Sequence, residues 1–251
     1  MFSNKIKFIA HENYVNLNNY HPEPIKLNIP EWYKKLGHTP PLKTVKGCMP
    51  FLDTLTTGYL LRTAQDYGVK HNVYNENIKQ NDTYLEASDV RPEFCQIHHL
   101  NLFTKQSSGQ YHPVEQVEGA PFNERNKNLP VLKFFNPWII KTSPGYSCLF
   151  VPPLNNSDDR FSIIPGIVDT DTFPNEINFP FIINGDKYPS LETIIKAGTP
   201  YVQVIPFKRE SWKMEIIGLP TEKLKKTKNL FYGLKILYEY KEKYWSKKTW
   251  K

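Results

Sequence analysis

Three carboxylates stand close together in GIVDTDTFPNEINFPFIIN, residues 166–184: Asp169, Asp171 and Glu176. The first two directly follow an apolar pair, with one threonine between them. Carboxylates grouped this way suit two kinds of chemistry. One of them can orient and deprotonate a water, as a general base acting on a substrate held within hydrogen-bond reach. They can equally be turn formers, because an aspartate side chain accepts hydrogen bonds from nearby backbone N–H groups. Asp-Thr-Asp-Thr followed by Phe-Pro-Asn fits a β-turn, which is the simpler reading. The other reading makes the cluster catalytic.

Further candidates are sparser. Lys208 and Arg209 end an apolar run and can bind an anion, although a solvated strand end is the simpler explanation. Cys95, His98, His99 and His112 are metal-ligand types, but their spacing fits no standard zinc pattern, so no metal site is expected. Cys48, Cys95 and Cys148 are odd in number and widely spaced. They imply no disulfide framework and point to a reducing, cytoplasmic setting.

Composition narrows the class. Of 251 residues 14% are aromatic, and 21 prolines outnumber 12 glycines. This is a globular chain with many fixed turns. No apolar run approaches the roughly 20 residues that span a bilayer, so no membrane partner is expected. The opening MFSNKIKFIAHENY has neither the long apolar segment nor the small-residue cleavage site of a signal peptide. The net charge of +7 is unevenly spread: residues 223–251 carry ten lysines against two glutamates, a net +8 that leaves −1 for the remainder. A basic tail can meet nucleic acid or an acidic partner.

The elements that would position these groups follow from pattern. Residues 1–47 read as an extended lead-in, with KIKFIAH a short strand and EWYKKL a short helix behind Pro30. CMPFLDTL reads as a strand that turns at TTG into a second, YLLRTAQDYGVKHNV, although periodicity leaves a helix open over YLLRTAQDY. Residues 76–130 form a polar excursion with two or three short strands. From 131 to 218 the apolar runs VLKFFNPWIIKT, GYSCLFVPPL, FSIIPGIVD, EINFPFIIN, PYVQVIPF and WKMEIIG recur between Pro, Gly, Asn and Asp turns. Such spacing marks a sandwich or small barrel. Pro137, Pro180 and Pro206 then belong at edges, bends or bulges. Residues 221–245 read as a helix capped by Thr221, with Leu224, Leu230, Phe231, Leu234, Leu237 and Tyr238 on one face. The division is thus 1–47, a β-rich domain over 48–218, and a basic helix and tail over 219–251. The fold class is mainly β.

Four blocks carry a family resemblance: FLDTLTTGYLLRTAQDYG (51–68), PGYSCLFVP (144–152), the acid-bearing stretch, and IIKAGTPYVQVIPF (194–207). In this order they resemble the trimeric dUTPase and dCTP deaminase superfamily, the β-clip nucleotide enzymes. Gly166-Ile-Val-Asp169-Thr-Asp171 with Glu176-Ile177, Asn184, and Gly198 with Gln203-Val204 carry the match. The resemblance implies a β-clip, a distorted barrel-sandwich, assembled as a homotrimer. It implies ligand contacts at Tyr59, Asp171, Glu176 and Gln203, joined by the anion candidate Arg209, and Mg²⁺ with a deoxynucleotide if the chain is an enzyme. The whole chain also resembles a tailed-phage and bacterial family marked by Ile29-Pro-Glu-Trp-Tyr33, which implies no biochemical function.

The departures from the nucleotide enzymes are as informative. Leu60 stands where they need an aspartate for metal and nucleotide. Pro152-Pro153-Leu154 replaces the phosphate-binding Arg-Ser-Gly, removing a guanidinium fork and backbone donors. The deaminases' catalytic glutamate is missing from Phe179-Pro-Phe-Ile-Ile-Asn184, and no glycine-rich arm closes the C-terminus. The expectation is a non-catalytic, cofactor-free oligomer that binds a small ligand, a protein or a virion surface. The alternatives are a deoxynucleotide hydrolase or deaminase using Asp169, and a DNA-associated factor working through 223–251.

Overall fold

The computed structural model describes residues 4–16, 20–39, 44–64, 66–72, 84–88, 111–225 and 240–251. The chain divides into two compact units, each discontinuous in sequence: Met1–Glu23 with Tyr59–Lys208, and Pro24–Gly58 with Arg209–Lys251.

The larger unit is a body of antiparallel sheets, and the protein is mainly β as expected. One sheet runs in the order β11 (Gly166–Val168), β9 (Tyr146–Val151), β14 (Pro200–Lys208), β3 (Tyr59–Arg62), with Glu23 of the two-residue β2 (Glu23–Pro24) salt-bridged to Arg62. A second runs β10 (Phe161–Ile163), β12 (Phe179–Ile183), β7 (Val131–Phe134), β6 (Tyr111–His112). A third runs β13 (Ser190–Ile195), β4 (Asp66–Asn72), β5 (Tyr84–Ser88). The pair β1 (Ile6–Ile9) and β8 (Ile139–Thr142) completes the set. The four blocks of the family resemblance therefore contribute the four neighbouring strands of a single sheet.

The core explains why these runs pair. Phe134 is fully buried and stacks on Phe181, centroids 3.8 Å apart at 11°. Its edges meet Tyr67, Phe161 and Tyr201 at 5.1 to 5.2 Å. One ring thus ties together strands of all three larger sheets. Aromatic pairs in such offset or edge geometry add about 0.5–1.5 kcal/mol each beyond their buried area.

Proline divides two runs that the sequence suggested were continuous. VLKFFNPWIIKT splits into β7 and β8, which lie in different sheets. Asn136 makes the bend, donating to the Trp138 carbonyl at 2.8 Å while its Oδ1 accepts the Trp138 N–H. FSIIPGIVD splits likewise at Pro165. Pro180 and Pro206 sit within strands. At 206 the ladder is one-sided, with β14 paired to β9 after its pairing with β3 has ended. At 180, beside Lys133 of β7, the proline's carbonyl still accepts the Ile164 N–H at 2.8 Å, a bond that needs no N–H from the proline. YLLR is a strand and not a helix, and SLETII forms β13, which the sequence reading did not anticipate.

A small helix, α4 (Pro121–Arg125), lies in the former excursion between the short strands β5 and β6 and the core strand β7; residues 89–110 are outside the described residues. Numbered in chain order, α1 is Glu12–Val15, α2 Glu31–Lys35 and α3 Met49–Thr56. Beyond α4 the chain passes through positive φ at Lys127 and Asn128. Buried Asn126 then accepts the Ile183 N–H at 2.9 Å and donates to the Leu129 carbonyl, pinning this turn to β12. Gly185 is needed here, since a Cβ would lie 2.9 Å from the Arg125 carbonyl oxygen and 2.7 Å from Lys127.

The smaller unit is helical. Residues 48–55, expected as a strand, belong instead largely to α3. Pro50 fits its first turn, and the spacing of Met49, Leu52 and Leu55 follows a helical period, with Met49 and Leu55 buried. Tyr33 of α2 stacks on Phe51 of α3 at 6.0 Å and 13°. Asp53 accepts bonds from Trp245 Nε1 and Lys248 Nζ, which anchors the end of the chain. Residues 221–225 are helical and Tyr240–Tyr244 is a π-helical turn, while 226–239, carrying most of the expected apolar face, lie outside the described residues. The Lys223 and Leu224 N–H groups reach the Pro220 carbonyl, so Thr221 lies inside this helix and does not cap it. The WKMEIIG run forms no strand.

Two outcomes follow from the body. Phe134→Ala should cost about 3–5 kcal/mol in urea unfolding, the range for a buried aromatic. His71 is fully buried on β4, and desolvation lowers its pKa from 6.5 to about 4. The unfolded chain then binds the extra proton between those values. Stability should fall as pH drops from about 6.5 and level off near 4, and His71→Gln should flatten that part of the profile.

Candidate functional site

The acid-bearing stretch is positioned by the antiparallel pairing of β11 with β9, in which Val168 lies opposite Cys148. Immediately after β11 the chain turns, with the Thr172 and Phe173 N–H groups donating to the Asp169 carbonyl at 3.1 and 2.9 Å. This is the turn that Asp-Thr-Asp-Thr predicts. Its side chains are committed to the neighbouring hairpin. Ser147 Oγ donates to Asp169 Oδ1 at 2.6 Å, and the Gly145 N–H donates to Asp171 Oδ2 at 2.8 Å. Gly145 itself has φ of 83°, the left-handed conformation that a tight β8–β9 turn requires.

Between the two acids, Thr170 points inward and is fully buried. Its hydroxyl lies 2.8 Å from that of Thr142 and 3.3 Å from Cys148 Sγ, and Thr142 Oγ1 also reaches the Tyr146 carbonyl. The Cys148 thiol is pushed up to about 11 by burial, against the opposing effect of the Thr170 hydroxyl. A thiol held protonated in this way is a poor nucleophile and a poor metal ligand.

The remaining candidates are dispersed or already engaged. Gln203 is fully buried on β14, and its Oε1 accepts the Leu154 N–H at 2.9 Å, fixing the Pro152-Pro153-Leu154 turn. Tyr59 is half-buried with its ring 5.5 Å from Phe8, edge-on; burial first, and then Cys148, raise its phenol. Leu60, opposite Gln203 in the ladder, is a core residue at 1% exposure. Glu176 is exposed and forms an isolated backbone bridge with Ile139. Arg209 lies in the other unit. The structure thus gathers Asp169 and Asp171 about the β8–β9 hairpin, places Tyr59 and Gln203 in the same sheet, and leaves Glu176 on the surface.

Compared with family models, curated proteins and solved structures, the chain matches none.

The groups that the sequence did not single out are Ser147, Thr142 and Thr170, the partners of the acid turn. Gly198 of the last block, at φ 84°, makes a similar turn: its N–H meets the Thr63 carbonyl, and Asp66 accepts the Ala197 N–H at 2.6 Å and Lys196 Nζ at 2.8 Å. Turn-fastening carboxylates are therefore a recurrent device in this body. Among the described residues no group of three or more His, Cys, Asp and Glu could hold a metal ion; Cys95, His98 and His99 fall outside them, and His112 Nδ1 lies 2.7 Å from Gln116 Oε1. Nor, among the described residues, is any helix long and apolar enough to cross a membrane.

Turn fastening and catalysis make different mutational signatures. Asp171→Ala, which strips the Gly145 N–H of its acceptor, should cost about 1–2 kcal/mol in equilibrium unfolding. Asp169→Asn retains an acceptor for Ser147 and should cost less. An Asp171→Ala variant as stable as the wild type would remove the structural role.

Proposed function

We propose that the chain is a non-catalytic, β-clip-like oligomeric protein with a binding or structural role, related to nucleotide enzymes in framework and not in chemistry. The observation that carries this reading is the commitment of the three polar groups a nucleotide enzyme would keep for ligand. Asp169 receives Ser147, Asp171 receives the Gly145 N–H, and Gln203 receives the Leu154 N–H. Each ties one strand or turn of the sheet to the next.

A water-orienting carboxylate needs a substrate held rigidly beside it. In the nucleotide enzymes that hold comes from an Arg-Ser-Gly turn and an early aspartate. Here the equivalent positions are a proline-proline-leucine turn fixed by Gln203, and a core leucine. These replacements serve packing and turn geometry, which suits a framework retained for assembly.

The test is direct. Purified full-length chain is incubated with each deoxynucleoside triphosphate and Mg²⁺, with pyrophosphate and ammonia release followed. No turnover above background is the expected result. Release that disappears in Asp169→Asn, with folding retained, would establish the enzyme reading instead.

A further inference from the structure

Residues 211–219, SWKMEIIGL, have the composition of a strand and no sheet to belong to. Trp212 is 87% exposed, Met214 82%, Ile216 90% and Ile217 75%. Among the described residues, no backbone N–H from 211 to 219 donates to a backbone carbonyl. Lys213 Nζ lies 3.7 Å from Glu215, the i,i+2 neighbour relation of an extended chain. The charged pair therefore occupies one side, and Trp212, Met214 and Ile216 the other. Large apolar side chains left in water each forgo about 1.5–3 kcal/mol of burial, and a solvated linker has no use for three of them in register.

The body offers an edge of matching length. Among the described residues, β13 pairs with β4 on one side only. Ser190, Glu192 and Ile194 face outward, Ile194 at 48% exposure, while Leu191 and Thr193 are partly buried on the opposite face. A one-sided strand of this kind is a template for an added strand. Antiparallel addition with Lys213 opposite Glu192 sets Glu215 opposite Ser190, Met214 opposite Leu191 and Trp212 opposite Thr193. This register sets one opposite-charge pair, Lys213 with Glu192, on the outer face and one apolar pair, Met214 with Leu191, on the inner one. A shift by one residue would oppose Met214 to Glu192 and Glu215 to Leu191, losing both matches.

We infer that segment 211–217 of one copy adds as a strand to the β13 edge of a second copy. The occupant is this same chain, because the charge and apolar pattern of the arm fits the chain's own edge, and among the described residues neither the arm nor that side of β13 has a ladder partner. Reciprocal exchange gives a closed dimer, and head-to-tail exchange a ring. This deepens the oligomeric reading proposed above by naming its contact.

The experiment is light scattering on the full chain and on variants at exposed positions, with circular dichroism to verify folding. The wild type should have a mass that is a multiple of 29.4 kDa, and Trp212→Asp with Ile216→Asp should reduce it to one copy. Glu192→Lys should weaken association by roughly two- to fivefold per contact, and adding Lys213→Glu should restore it. A monomeric wild type would overturn both the contact and the oligomeric reading. An oligomer that survives the arm substitutions would overturn the contact alone, as would failure of the charge reversal to restore association. Nucleotide turnover would overturn the non-catalytic reading and leave this contact standing.

Discussion

The body depends on one aromatic contact set. Phe134 on β7 stacks on Phe181 of β12 and meets the edges of Tyr67 on β4, Phe161 on β10 and Tyr201 on β14. A sheet gains stability by covering its apolar face against another layer. A ring shared by strands of three sheets supplies that cover from a single position. Phe179, between Phe150 and Tyr201, extends the set toward β9. Because the rings interlock edge to face, each sheet's register is fixed by its neighbours as well as by its own ladder.

Once the sheets are fixed, the connecting turns carry the polar chemistry. A turn leaves backbone N–H groups without ladder partners, and burial makes each such group costly. Asp171, Asp66 and Gln203 answer three of these groups, at Gly145, Ala197 and Leu154. A carboxylate used in this way is a fastening, whose partner is decided by the fold. The same oxygen that could steer a water in an open cleft is here satisfied by a donor from the adjacent hairpin. Framework and chemistry are thereby separable.

The sequence disclosed the strands more readily than it disclosed this use of the acids. Runs such as YSCLFV and YVQVI are legible because β-branched and aromatic residues cluster between turn formers. FFNPW misled because an apolar run contains no sign that the chain changes sheets within it; the Asn136 bend appears only when Trp138 is seen accepting its amide. MPFLDTL misled because short apolar runs suit strand and helix alike, and packing of Met49 and Leu55 decided for the helix. SLETII escaped notice because its alternation is half polar. The Asp-Thr-Asp turn was readable from local chemistry. The partners of its acids were not, because Ser147 lies 22 residues from Asp169 and Leu154 lies 49 from Gln203, and such pairings exist only after β9 has found β11 and β14.

One reading from pattern failed. WKMEIIG has the alternation of a strand, yet the structure gives it no ladder. A segment whose local preference and fold disagree is informative where most strands of the chain agree. An exposed apolar strand is a hazard that proteins blunt with charge, proline or cover. Here Lys213 and Glu215 punctuate the segment without interrupting its apolar side, which keeps the edge chemistry usable. Proline appears only at 220, where it ends the segment and opens the helical turn at 221–225. An unbroken apolar side up to that stop suits the strand addition proposed above.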